Sequence, residues 1–123
     1  MKLMFVYKLL PAFVFFTDNI PEGFGGMANG PVVRIRKKYE NTDEGILQHE
    51  LTHVKQWYRT LGTLGLWYTF IESYRLKSEV ECYKVQASYY NYDAIPWMAD
   101  AIYTKYNIKS VTKQQVIDML RSK

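Results

Sequence analysis

Both histidines of this chain fall in one five-residue window, His49-Glu50-Leu51-Thr52-His53, with a glutamate directly after the first. On a helix, residues i and i+4 stand one above the other on the same face. The window therefore commits its segment to a helix that points two imidazoles the same way, at a spacing that holds one small cation. Neutral imidazole suits zinc, so Zn²⁺ is the expected cofactor, with His49 and His53 as ligands. Glu50 sits about 100° further round the helix, beside the ion rather than on it, where a carboxylate can take a proton from water.

A chain of 123 residues is read as one domain, residues 1–123. Hydrophobic residues make up 48% and aromatic residues 16%, too rich in large apolar groups for a disordered chain. The net charge of +4 is scattered along the chain. Its densest run, Arg34-Ile35-Arg36-Lys37-Lys38, reads as a solvated strand end, and no specific nucleic acid is expected as partner. The single cysteine, Cys82, excludes an intrachain disulfide, fits a reducing compartment and reads as a buried packing residue. Lys2–Phe16 lacks the uninterrupted apolar run and cleavage site of a signal peptide, and is too short to span a bilayer. It reads as a strand or an apolar arm on the core, with a membrane-facing hairpin as the alternative. The expected location is cytoplasmic or virion-associated, with no cleavable signal peptide and no transmembrane segment.

The fold class expected is α+β. Leu3–Tyr7 and Phe13–Thr17, on either side of Pro11, are short strands or extended arms. Asp18–Gly30, rich in glycine, is a flexible loop. Val32–Lys37 alternates as a half-buried strand. A first helix opens with Asn41 as N-cap and Glu44 at N3 and buries Leu47, Leu51, Val54 and Tyr58; Gly62 ends it. A long second helix runs from about Leu66 to about Tyr90. Trp67, Ile71, Tyr74, Ser78, Cys82, Val85 and Tyr89 form its core stripe, and Glu72, Arg75, Glu79, Tyr83, Gln86 and Tyr90 a polar row alongside. Two C-terminal helices follow, from Ala94 or Pro96 to Tyr103 and from a capping box at Thr112–Gln115 to about Arg121.

Three protein ligands are usual at a catalytic zinc, and with no third histidine a carboxylate must serve. The pattern H-E-x-x-H-x-x-G-x-x-H fails, because Gln56 and Arg59 stand where its glycine and last histidine belong. Glu81 falls on a solvated face with Lys77 and Lys84. Glu72 and Glu79 share the polar row, and periodicity does not separate them.

The five-residue window with a downstream helical glutamate resembles the gluzincin metallopeptidases, the thermolysin-like group. It also resembles small H-E-x-x-H proteins of bacteria and phages, through His53-Val54-Lys55-Gln56-Trp57 and Glu79-Val80-Glu81-Cys82-Tyr83. The likeness covers roughly residues 30–90 and implies a small zincin-like domain. It makes Glu79 the third zinc ligand and Glu50 the general base of a peptidase that activates water at zinc. Gluzincins often carry an aspartate four residues after the ligand glutamate; Tyr83 stands there, a weaker acceptor for an imidazole N–H. Tyr83, Tyr90 and Arg75 are candidates for oxyanion or supporting roles. Residues 26–35 are a candidate edge strand for a peptide or protein substrate. Two further readings stand beside this one: a non-catalytic, phage-particle-like protein that keeps a metal-stapled helix pair and assembles into a larger particle, and a peptidoglycan endopeptidase.

Overall fold

A computed structural model describes residues 1–123 as a mixed α+β fold: a four-stranded sheet at the N-terminal end followed by helices. Strands β1 (Lys2–Val6) and β2 (Leu10–Phe16) form an antiparallel hairpin. Its turn places Tyr7 and Lys8 at φ 50° and 69°, the left-handed geometry that matches the twist of a tight hairpin. Pro11 lies inside β2 rather than between strands, before the stretch that pairs with β4, so its missing N–H breaks no ladder bond. Strand β4 (Val32–Ile35) runs parallel to β2, and β3 (Gly26–Asn29) pairs antiparallel with β4. The order β1-β2-β4-β3 leaves β1 and β3 as opposite edges.

The segment expected to be a loop throughout, Asp18–Gly30, therefore contains a strand. Arg36 holds the turn before it: its guanidinium donates to the carbonyls of Phe24 (2.6 Å), Ile20 (3.0 Å) and Pro21 (2.9 Å). The basic run is thus partly an internal staple and not simply a solvated strand end.

Helix α1 spans Glu44–Arg59 and buries Leu47, Leu51 and Val54 against the sheet, with Tyr58 packed beside them and its hydroxyl on the Pro11 carbonyl (2.7 Å). Its N-cap is Asp43, whose Oδ1 accepts from the Ile46 N–H (3.1 Å), and not Asn41, which stands in the preceding turn at φ 62°. The expected single second helix is two: α2 (Leu64–Phe70) and α3 (Glu72–Ala87), broken at Ile71 in extended geometry, φ −117° and ψ 103°. The run Tyr68-Thr69-Phe70-Ile71 is poor in helix formers. Arg75 takes up the exposed end by donating to the carbonyls of Tyr68 (2.9 Å) and Thr69 (3.2 Å). Helices α4 (Ile95–Lys105) and α5 (Lys113–Arg121) follow, the last opening with both bonds of the Thr112–Gln115 capping box.

The break changes what α3 buries. Trp67, Ile71 and Tyr89 of the expected stripe are exposed, whereas Glu79, Tyr83 and Gln86 of the expected polar row are buried with Ser78 and Cys82. Two apolar clusters result. One joins the sheet to α1; the other joins α3 to α4 and α5 through Leu76, Met98, Ile102, Val116 and Leu120. All seven buried polar or charged side chains of the protein — His49, Glu50, Thr52, Gln56, Ser78, Glu79 and Gln86 — lie on α1 or α3. The seam between the two helices is thus where the polar chemistry is held.

Helix α1 closes with the Gly62 N–H on the Trp57 carbonyl (2.9 Å) and the Leu61 N–H on that of Tyr58 (3.1 Å). This double bond pattern puts its left-handed residue at Leu61, φ 52°, one position before the expected glycine. A branched side chain there is strained, and at 92% exposure it recovers little by packing. Leu61→Gly should therefore raise unfolding stability by about 1 kcal/mol, read as a higher urea midpoint at unchanged slope; a lower midpoint would mean that the Leu61 side chain carries contacts of its own.

Candidate metal centre

Helical spacing brings His49 and His53 together as expected, their rings 5.2 Å apart. From α3, the Glu79 carboxylate enters between them. Its Oε1 lies 3.3 Å from His49 Nε2 and its Oε2 lies 3.1 Å from His53 Nε2. Glu72 is elsewhere: it accepts from the backbone N–H groups of Lys109 and Ser110 ahead of α5. Glu81 pairs with Arg59 at 2.7 Å. The structure thus separates the two glutamates that periodicity leaves equivalent.

The far side of each imidazole fixes which nitrogen carries hydrogen. His49 Nδ1 meets Gln86 Oε1 at 2.9 Å. That amide cannot be turned round, because its Nε2 donates to Tyr90 Oη (2.8 Å), whose own proton goes to the Asp43 carboxylate (2.9 Å). His53 Nδ1 meets Gln56 Oε1 at 3.0 Å. This amide is also fixed, since Nε2 faces the Ser78 carbonyl (3.1 Å) and Glu81 Oε1 (2.9 Å), which can only accept. Both Nδ1 atoms are therefore donors. In the neutral rings both Nε2 atoms present bare lone pairs toward an anionic carboxylate.

Lone pairs facing lone pairs repel unless a cation lies between them. Donors about 2.0–2.1 Å from a tetrahedral zinc lie about 3.3–3.4 Å from one another; the N···O separations here are 3.3 Å to His49 and a slightly shorter 3.1 Å to His53. Glu79 Oε1 is also buried with no hydrogen-bond partner, an orphan that a metal ion would satisfy. The donor set fits a zinc-sized cation. With a proton as the cation instead, burial alone would lower the pKa of His53, but Cys82 and Glu79 beside it outweigh burial and raise it well above the ordinary imidazole value. Burial would raise the pKa of Glu79; the imidazoles, His53 foremost, outweigh it and hold the carboxyl well below the usual range.

Cys82 is the rival third donor. It is fully buried, and ligating atoms of His49, His53 and Cys82 all lie within 4.8 Å of one another. Burial pushes its thiol up to about 12, with His53 offsetting part of the rise. A thiol must lose its proton before it can ligate, whereas the Glu79 carboxylate is already an anion between the two nitrogens.

Glu50 lies off the donor set, as its azimuth requires, at the junction of two cavities of about 320 and 540 Å³ that share Phe24, Gly26, His49, Glu50 and Tyr106. Burial raises its pKa above the ordinary carboxylate value, and His49 and His53 offset part of that rise. Gly26 lets β3 come this close: a Cβ there would stand 3.1 Å from Glu50 Cγ and 2.9 Å from Ile35 Cδ1. Gly45 does the same for the His49 support, since its Cβ would stand 3.0 Å from the Tyr90 ring and 3.1 Å from Gln86 Cγ.

The other sequence candidates divide. Tyr90 reaches His49 only through Gln86. Tyr83 holds no imidazole N–H; its ring meets His49 edge-on at 4.4 Å, and its hydroxyl meets that of Tyr106 at 3.2 Å. Arg75 is apart from the centre, engaged with four backbone carbonyls, those of Tyr68, Thr69, Tyr106 and Asn107. Sequence reasoning missed Gln56 and Gln86 as imidazole partners, and missed Tyr68, whose hydroxyl donates to Glu79 Oε2 at 2.5 Å. No protein-family model, curated protein or solved structure matches this chain.

Two measurements test the assignment. Zinc content after dialysis should fall from stoichiometric to background in Glu79→Ala and stay stoichiometric in Cys82→Ser; the reverse pattern would give the third position to the thiol. Gln86→Leu, which leaves His49 Nδ1 without its acceptor, should weaken zinc binding by about 10–100-fold in competition with a chromogenic chelator. Unchanged affinity would mean that the amide does not orient the ring.

Proposed function

We propose that this chain is a zinc-dependent peptidase in which His49, His53 and Glu79 hold the ion and Glu50 is the general base. The observation that carries this reading is the convergence of three fixed donors in a buried seam, with a second, unligated carboxylate, Glu50, beside them at the junction of two cavities. A site that only staples two helices needs the donors; it has no use for Glu50.

A bound zinc ion supplies Lewis-acid polarisation of a scissile carbonyl and brings the pKa of water toward about 7. The chain's own residues do the rest. Glu50, raised in pKa by burial, takes a proton from the attacking water and returns it to the leaving amine. Strand β3 lines the smaller cavity through Gly26, Met27, Ala28 and Asn29 and pairs with β4 on one side only. Its free edge offers backbone donors and acceptors to an extended peptide laid alongside. Tyr106 lines both cavities, and burial raises its pKa so that the hydroxyl stays a donor. It therefore takes the oxyanion role for which Arg75 and Tyr90 are placed too far from the cavities or too fully engaged.

Glu50→Gln separates an enzyme from a scaffold. The variant keeps shape and donors, so zinc content and melting temperature should match wild type. Hydrolysis of an unstructured protein substrate such as casein should fall by roughly 10²–10⁴-fold, the usual loss on removing a general acid–base group. Equal behaviour of the two proteins in every assay, with no turnover by either, would leave a metal-stapled structural protein. Loss of zinc in Glu50→Gln would make the carboxylate a ligand and overturn the geometry above.

A further inference from the structure

The sheet has a second face. Val6, Ala12, Val14, Val33 and Ile35 point toward α1 and are buried. The residues that alternate with them point the other way, away from α1. Register lines up Leu3, Phe13 and Val32 straight across three strands, with Phe5 opposite Pro11 and Phe15 opposite Arg34. Leu3, Phe5 and Phe15 are 50%, 56% and 40% exposed, and at the hairpin tip Leu9 reaches 82%. Single exposed apolar residues are ordinary; a contiguous row across a sheet marks a contact surface.

The charge around that row is of one sign. None of the four strands contains Asp or Glu, residues 1–17 contain no acid, and Lys8 stands at the hairpin tip. Arg34 lies on the same face, held by the neutral acceptors Asn19 O, Met27 Sδ and Asn29 Oδ1. Lys55 of α1 stands over the Tyr7 ring at 5.8 Å, bringing a further cation to the hairpin tip.

We propose that the outer face of the β1–β2 hairpin docks on an anionic lipid surface, Phe5, Leu9 and Phe15 entering the headgroup region and Arg34 and, at the tip, Lys8 meeting lipid phosphates. Apolar side chains ringed by cations bind such an interface without crossing it, and no helix of the chain is long and apolar enough to cross a membrane. A second copy is the poorer occupant, because a two-fold contact would set Arg34 and Lys8 against their own kind. The topology leaves the centre free: β1 and β3 are opposite edges of the sheet, so a docked hairpin does not cover the cavities beside β3.

Co-sedimentation with vesicles tests this independently of any hydrolysis. The wild-type chain should partition onto phosphatidylcholine–phosphatidylglycerol vesicles (roughly 2:1), release with rising salt, and ignore pure phosphatidylcholine. Phe5→Ser/Leu9→Ser and Lys8→Glu should each weaken partitioning about tenfold or more. All three positions are exposed, so the thermal melts of these variants should stay near wild type. Absence of wild-type binding to the anionic vesicles, or wild-type binding by both variants, overturns the proposal. So does a lipid-free dimer in sedimentation velocity that Phe5→Ser/Leu9→Ser abolishes, which would assign the face to a second copy.

Discussion

Two hydrogen bonds govern this protein, His49 Nδ1–H to Gln86 and His53 Nδ1–H to Gln56. Each makes its ring a donor on the outside, and each leaves a bare nitrogen on the inside. Everything nearer the centre follows from that choice, including the mutual repulsion of nitrogens and carboxylate that only a cation resolves. Everything further out serves to keep the amides from turning. Asp43 does this while capping α1, so the start of the helix and the orientation of His49 depend on one carboxylate.

Burying such a seam is unfavourable unless every group finds a partner. The protein confines the difficulty to one interface, α1 against α3, and flanks it with an apolar cluster on each side. The seam is nearly closed to water. Glu79 is 1% exposed and Gln86 4%. Low local polarity strengthens each remaining electrostatic contact, which is why the carboxyls of Glu50 and Glu79 move in opposite directions although both are buried. Glu79 lies directly between the imidazoles, while for Glu50 desolvation prevails.

Much of this was legible in the residues. The 3.6-residue recurrence of Leu47, Leu51, Val54 and Tyr58 places α1, and the Thr112–Gln115 pattern opens α5, because both are local signals with local causes. The row Glu79, Tyr83, Gln86 was legible as a row; its burial was not. Long polar side chains along a helix read as a solvated face, and only the partner helix, presenting its own polar edge, reverses that. The break at Ile71 depends on Arg75 reaching carbonyls more than thirty residues away, at Tyr106 and Asn107, as well as those of α2. Strand β3 hides in a glycine-rich stretch because its pairing is set by β4 and by Arg36, neither of which is local to it. Gln56 and Gln86 carried one usable signal: an amide is the neutral side chain that can both accept from an imidazole and be locked by a second bond.

The separation of α2 from α3 has a consequence for the smaller cavity. Helix α2 supplies Leu64, Gly65, Tyr68 and Thr69 to its wall, yet none of the seven residues of that helix is buried. Such a wall is suspended at its ends, by the turn at Leu61 and Gly62 and by the Arg75 clamp, and is tied across the middle by the single bond from Tyr68 to Glu79. Short helices without a packed face belong to the least stable part of a fold and open locally long before the whole unfolds. The aperture over the centre is therefore elastic on its α2 side and rigid on its β3 side, a vice with one sprung jaw.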